Sequence, residues 1–243
     1  MTFTENFEIK QAVFSLALTI AVYYAYYFPA FSAANKKWFQ KNFSEKKGQV
    51  YLFIFQKTLG FLLLGLVPGM LFSLKFNFST PKHSAWGLTA IPLWVYPIIL
   101  LLIVFSSVFS SRKPDVNSRI PQMRLPDWGF KEIAISISGW AIYLLGYEFL
   151  FRGLLLFTTA EAFGIMPAML INIGLYSAFH LPNGMKETLA AIPFGLILCV
   201  ISLISCSFIP AFLLHLSLSI SAEMFSVHFN PNMKFLFSKK IAG

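Results

Sequence analysis

The stretch YEFLFRG, residues 147–153, sets a glutamate and an arginine four positions apart, between GWAIYLLG (139–146) and LLLF (154–157). On a water-exposed helix such an i,i+4 pair is ordinary surface decoration. Whether these seven residues lie in water or in hydrocarbon therefore decides the fold. The chain has 243 residues, 57% of them hydrophobic and 12% charged, with 28 Phe. A soluble domain carries roughly 25% charged residues. This chain lacks the polar surface that a water-soluble protein of its size requires, which points to an integral membrane protein.

A helix crossing about 30 Å of hydrocarbon needs roughly 20 apolar residues. Seven stretches qualify: 11–33, 51–74, 88–110, 131–158, 165–182, 187–205 and 208–229. A backbone facing lipid must satisfy its hydrogen bonds within its own segment, so each is expected to be helical. The expected fold class is all-α, a polytopic transmembrane helix bundle of about seven spans. No internal repeat and no alternating barrel pattern is visible. The connection at 116–130, with its prolines and glycine, separates the N-terminal spans (1–115) from the C-terminal spans (116–243), where intramembrane polar residues gather. Both belong to one membrane domain.

The charge balance is basic, 19 Lys and Arg against 10 Asp and Glu, and sits in short connections. Nucleic acid is not an expected partner, because membrane proteins concentrate Lys and Arg in cytoplasmic loops. With seven spans, three clusters fall on one side: Lys36, Lys37, Lys41, Lys46 and Lys47; Arg112, Lys113, Arg119 and Arg124; and Lys234, Lys239 and Lys240. Lys75 and Lys82 weaken that bias without reversing it. The expected location is a bacterial inner (plasma) membrane, N-terminus outside and C-terminus cytoplasmic. Residues 1–10, MTFTENFEIK, do not read as a signal peptide, since acidic residues precede the apolar run. Cys199 and Cys206 read as buried inert thiols.

Ionisable groups within spans cost on the order of 2.5–3.5 kcal/mol each on insertion scales, so they call for a reason. The C-terminal half holds Glu148, Arg152, His180, His215 and Glu223, with Asn172, Ser177 and Ser219 beside them. Glu148 and Arg152 share a helix face, as do Tyr176 and His180. His215, Ser219 and Glu223 form a polar stripe on the last span. A carboxylate, a fixed arginine and two imidazoles from three helices suit hydrolysis: the carboxylate takes a proton from water, and an imidazole stabilises the oxyanion or protonates the leaving amine. The same residues also read as a structural ion pair and two hydrogen-bonded packing histidines. Glu187 and Lys186 read as loop residues. Glu148 falls past mid-membrane and His180 nearer the cytoplasmic end; a helix break near Ser138-Gly139 or Gly146 would bring them closer.

YEFLFRGLLL, then YSAFHLPNG, then SFIPAFLLHLSLS resembles the CAAX-protease and bacteriocin-processing family of intramembrane peptidases, also called the Abi or type II CAAX prenyl endopeptidase family. Its pattern is EExxxR, FxxxH and HxxxN or HxxxD on successive spans. The likeness covers about 131–225. With Arg152 aligned, Tyr147 stands where the first glutamate belongs and Glu148 at the second. Tyr176 replaces the Phe of FxxxH, and Ser219 replaces the final Asn or Asp.

The resemblance implies an intramembrane peptidase in which Glu148 activates water, Arg152 orients it, and His180 and His215 bind or stabilise the oxyanion, with Ser219 assisting. The implied substrate is a peptide or a protein tail, prenylated proteins being the eponymous ones, and the other expected partners are membrane lipids. No cofactor is expected. A zinc site stays open, since His180, His215 and Glu148 nominally supply three ligands, although no HExxH is present and Arg152 would oppose a dication. The competing class is a non-catalytic membrane scaffold or immunity-type protein that binds a partner, which Tyr147 and Ser219 favour.

Overall fold

The computed structural model describes residues 3–76 and 92–236, with side chains from residue 6. In chain order the helices are α1 (Phe3–Phe31), α2 (Ala33–Asn42), α3 (Glu45–Phe61), α4 (Val67–Lys75), α5 (Val95–Ser110), α6 (Pro114–Asn117), α7 (Phe130–Glu148), α8 (Leu156–Phe163), α9 (Ile165–Ala178), α10 (Met185–Ser205) and α11 (Ile209–Phe229). Wider π-helical turns, Leu62–Leu66 and Phe149–Leu155, join α3 to α4 and α7 to α8 without ending either rod. Two-residue strands, β1 (Asp127–Trp128) and β2 (Lys234–Phe235), pair in parallel.

Among the described residues, six helical stretches are long and apolar enough to cross a membrane, the first of them interrupted at Ser32 between α1 and α2: Asn6–Asn42, Glu45–Lys75, Phe130–Phe163, Ile165–Asn183, Met185–Ser205 and Ile209–Phe229. The protein is an all-α integral membrane protein. The stretch expected at 88–110 is a shorter apolar helix, α5, of 16 residues. At 1.5 Å per residue that rod covers about 24 Å, short of the roughly 30 Å of hydrocarbon. Part of the expected stretch, together with Lys82, Lys239 and Lys240, lies outside the described residues. Lys186 and Glu187 are not in a loop but in the first turn of α10, which Gly184 (φ 103°) allows to begin there.

The chain divides into two compact units of interleaved segments. The first comprises Met1–Tyr26, Phe61–Pro92 and Leu145–Leu213; the second comprises Tyr27–Gly60, Leu93–Leu144 and Leu214–Gly243. The first unit has an apolar cluster of Leu156, Phe157, Ala160, Ala168, Cys199 and Leu203. Ser15 and Thr158 join α1 to α8 by a buried 2.6 Å hydrogen bond, and the Tyr23 hydroxyl donates to the Phe179 carbonyl at 2.8 Å. The second unit is built around Phe53, Met123, Leu125, Trp128 and Val227.

The glycines named in the sequence reading do not break α7. A Cβ on Gly65 would lie 2.8 Å from the Gly146 Cα, so this pair lets two backbones touch. Gly139 makes room for the Phe53 ring. The irregularity comes later, in the seven residues that follow Glu148.

Candidate active site

The π-helical segment is FLFRGLL, and six of its seven residues, Leu150 to Leu155, are buried. A π turn spends an extra residue per turn, is rare, and occurs most often at functional sites. The Leu156 amide closes it onto the Phe151 carbonyl. That same carbonyl accepts a second bond, 2.6 Å from Asn172 Nδ2 on α9. Asn172 Oδ1 in turn faces the Cys199 thiol of α10 at 3.3 Å. One asparagine thus ties three helices together at the irregular turn.

Glu148 ends α7 and Arg152 lies in the turn, both with no exposed surface. One guanidinium nitrogen, Nη1, sits 3.3 Å from Glu148 Oε1 and 3.2 Å from Oε2. A parallel fork, the commoner way an arginine holds a carboxylate, would engage two nitrogens. Here Nε and Nη2 have no partner within ordinary hydrogen-bond geometry among the described residues, and the Cys199 thiol stands beside the guanidinium. The guanidinium carbon stands 4.3 Å from the Tyr176 ring centroid. A Cβ on Gly195 would lie 3.0 Å from Tyr176 Cδ1 and 3.6 Å from Arg152 Nη2, so α10 needs glycine there to pass this close.

Tyr176 also meets His180, ring centroids 4.5 Å apart. His180 Nδ1 is 2.7 Å from the Tyr176 carbonyl. A carbonyl only accepts, so Nδ1 carries the proton, and in the neutral imidazole Nε2 carries the lone pair. Tyr147 is buried, stacked on Phe151 at 4.7 Å. Where the family pattern has its first carboxylate, this chain puts an aromatic wall.

Three of the four residues singled out from the sequence, Glu148, Arg152 and His180, therefore lie in the first unit around Tyr176. His215 is on α11, in the second unit, with Ser219 and Glu223. Among the described residues, no three His, Cys, Asp or Glu side chains gather as a metal ion would require. Cys199 and Cys206 are unpaired and buried.

A polar cluster that the sequence reading passed over lies in the second unit. Lys57, 3% exposed, has its ammonium 3.0 Å from the Trp140 ring centroid, 4.7 Å from Tyr143 and 5.2 Å from Phe53. Its charge is opposed by Glu223. Each Glu223 oxygen has a donor: the Gln122 backbone N–H reaches Oε1 at 3.0 Å and the Ser136 hydroxyl reaches Oε2 at 3.4 Å. The available signal was one lysine inside the apolar run 51–74.

The helices and the buried acid–arginine turn define a polytopic membrane protein with ionisable residues inside its spans. Residues 129–221 match the family model described as type II CAAX prenyl endopeptidase, Rce1-like. The matched segment holds Glu148, Arg152, His180 and His215, and the resemblance read from the sequence holds over it. The match points to CAAX-type intramembrane protease activity. No curated protein and no solved structure matches the chain.

Proposed function

We propose that the protein is an intramembrane peptidase that cleaves a peptide bond in a membrane-associated protein or peptide, with Glu148 as the proton acceptor for water. The observation that carries this reading is the spare edge of Arg152. A buried guanidinium that spends only Nη1 on its carboxylate keeps donors at Nε and Nη2. Such donors are costly to leave unmade, and a peptide carbonyl becoming an oxyanion is an acceptor of the right kind. Glu148 Oε takes a proton from water as the water attacks the carbonyl carbon. Arg152 holds that carboxylate ionised and offers its free edge to the oxygen.

The proton that Glu148 takes from water goes on to the leaving amine, with His180 Nε2, the lone-pair nitrogen of the neutral ring, as the group that accepts it and passes it on. His180 supplies an oxyanion donor only as the imidazolium, which narrows the role the resemblance gives it. His215 is the remaining candidate, and His215→Ala tests whether it takes part in the same reaction. The substrate class is a protein tail or peptide reaching the site from membrane or cytoplasm, prenylated tails included. The chain sits in a bacterial inner membrane with its C-terminus in the cytoplasm.

A second reading, a non-catalytic scaffold that binds a partner, is favoured by the complete burial of Glu148 and by Tyr147 at the first motif position. The two part on one experiment. Purified protein in detergent is given a lipidated peptide, and cleavage is compared with that of Glu148→Gln. The peptidase reading expects cleavage by wild type only. No cleavage by wild type of lipidated or unlipidated peptides, with Glu148→Gln indistinguishable from wild type in the cell, leaves the scaffold reading.

A further inference from the structure

Between the first two membrane helices stands one with no buried side chain, α2. The chain breaks direction at Ser32 (ψ 131°), whose hydroxyl accepts from the amides of Ala34 and Asn35 at 3.1 and 3.4 Å. The Asn35 side chain donates back to the Pro29 carbonyl at 2.7 Å. At about 100° per residue, Lys36, Lys37, Gln40 and Lys41 occupy one half of the helix, and Trp38, Phe39 and Asn42 the other. Phe39 meets Phe55 of α3 at 5.7 Å. A Cβ on Gly48 would lie 2.9 Å from the Phe39 carbonyl, so the start of α3 closes tightly on this side. The lysines are turned away from it and exposed, and Trp38 keeps 54% of its surface.

Contacts within the second unit gather the neighbouring helix ends. Lys46 pairs with Glu132 at 2.7 Å, joining the start of α3 to the start of α7. The Arg112 guanidinium stands 5.0 Å from the Phe229 ring, joining the end of α5 to the end of α11. The β1–β2 pairing joins the approach to α7 with the exit from α11. The residues at this end (32–47, 111–132 and 230–236) hold eleven Lys and Arg against four Asp and Glu.

Several of those cations are engaged internally. Arg124 donates to the carbonyls of Asn117 and Ile120 at 2.7 and 3.0 Å, and Lys234 faces Asp127 at 3.5 Å. Lys36, Lys37 and Lys41 make no ion pair among the described residues. A basic two-faced helix held between spans, with an exposed indole, has the makeup of an element that lies in the membrane interface.

We propose that α2 rests on an acidic leaflet, its lysines on the phosphates of anionic phospholipid headgroups and Trp38 at headgroup level. Charge complementarity selects the lipid. A zwitterionic headgroup carries its own cation, and only an anionic one leaves its phosphate charge for a lysine. The inference stands apart from the peptidase reading.

The test titrates acyl-labelled fluorescent phosphatidylglycerol, and separately phosphatidylcholine, into the full chain in neutral detergent. Wild type is expected to prefer phosphatidylglycerol, less so as salt rises. A lysine at an acidic surface is worth roughly fivefold, so Lys37→Gln with Lys41→Gln should weaken phosphatidylglycerol binding about thirtyfold. Lys10→Gln with Lys186→Gln, the same charge change elsewhere, should leave it unchanged. Far-UV circular dichroism checks the fold. If the double variant misfolds, Lys36→Gln alone is read in the same way, with about a fivefold loss. Equal affinity for the two lipids overturns the proposal. So does a Lys37→Gln/Lys41→Gln protein that binds like wild type, or full competition by inorganic phosphate, which would mark a plain anion site.

Discussion

Among the described residues, two buried acids each face a buried cation, one combination in each unit, and they are built differently. Glu148 and Arg152 are four residues apart on one irregular turn, and the arginine keeps two nitrogens unused. Lys57 and Glu223 come from distant parts of the sequence. The carboxylate has a donor on each oxygen, and the ammonium is boxed by three aromatic rings. Taking ions out of water costs several kcal/mol each, and a protein recovers it by completing their contacts. In the second, each Glu223 oxygen has a donor and the Lys57 ammonium is covered by the Phe53, Trp140 and Tyr143 rings, an arrangement that takes in α3, α7 and α11. In the first, Nε and Nη2 of Arg152 are left over, and those donors are what a substrate would complete. Burial alone does not tell a site from a strut; what surrounds each charge does.

The sharpest way to break this comparison is to neutralise each acid in turn. Glu148→Gln keeps the shape and removes the proton acceptor, so cleavage should fall by about 10²–10⁴-fold while the protein still folds. Glu223→Gln should lower the thermal midpoint in detergent and leave the turnover of the folded fraction near wild type. Equal losses of turnover in both would erase the distinction between the pairs.

Next in size is the strut itself. Lys57→Met removes the cation that opposes buried Glu223 and leaves the carboxylate only its bonds from Gln122 and Ser136, a loss of at most about 3–5 kcal/mol. Adding Glu223→Leu should recover most of that, because an apolar pair of similar volume does not need the contacts. Thermal unfolding of the single and double variants measures it. A double variant no more stable than Lys57→Met would mean that the opposition of Lys57 and Glu223 is not what sets the stability there.

The sequence made the spans legible because hydrocarbon thickness imposes a length on them. The starts and ends of 165–182, 187–205 and 208–229 fall within a few residues of α9, α10 and α11. Residues 131–158 are legible as one span for the same reason. Its π turn is not, since FLFRGLL carries no residue that demands a wide turn; the turn is held by Asn172, donating from α9 to the Phe151 carbonyl. Glu148 and Arg152 stood out as charges in an apolar run, and their contact follows from i,i+4 spacing. The single-nitrogen geometry depends on Tyr176 and Gly195, which no local pattern connects to Arg152. Lys57 was visible as a charge, but its aromatic box is assembled from α3 and α7, and only tertiary structure brings Trp140 and Tyr143 to it.

The smallest effects come from two glycines with opposite surroundings, and they test whether the first pair's neighbourhood is packed as tightly as the distances say. At Gly195 a methyl would press on Tyr176 Cδ1 at 3.0 Å, against a ring already in contact with Arg152 and His180. Overpacking of this kind costs about 1–3 kcal/mol, and the displaced Tyr176 should also reduce cleavage. At Gly174, on α9, no atom of the described residues other than its own helix backbone and chain neighbours lies within 4 Å of the added carbon. There alanine removes only the flexibility penalty of glycine in a helix, a gain of about 0.5–1 kcal/mol. Gly195→Ala should therefore melt below wild type and Gly174→Ala slightly above it. If Gly195→Ala were neutral in both melting and cleavage, Tyr176 would have room to move, and the contact that joins Arg152 to His180 would not be a fixed part of the site.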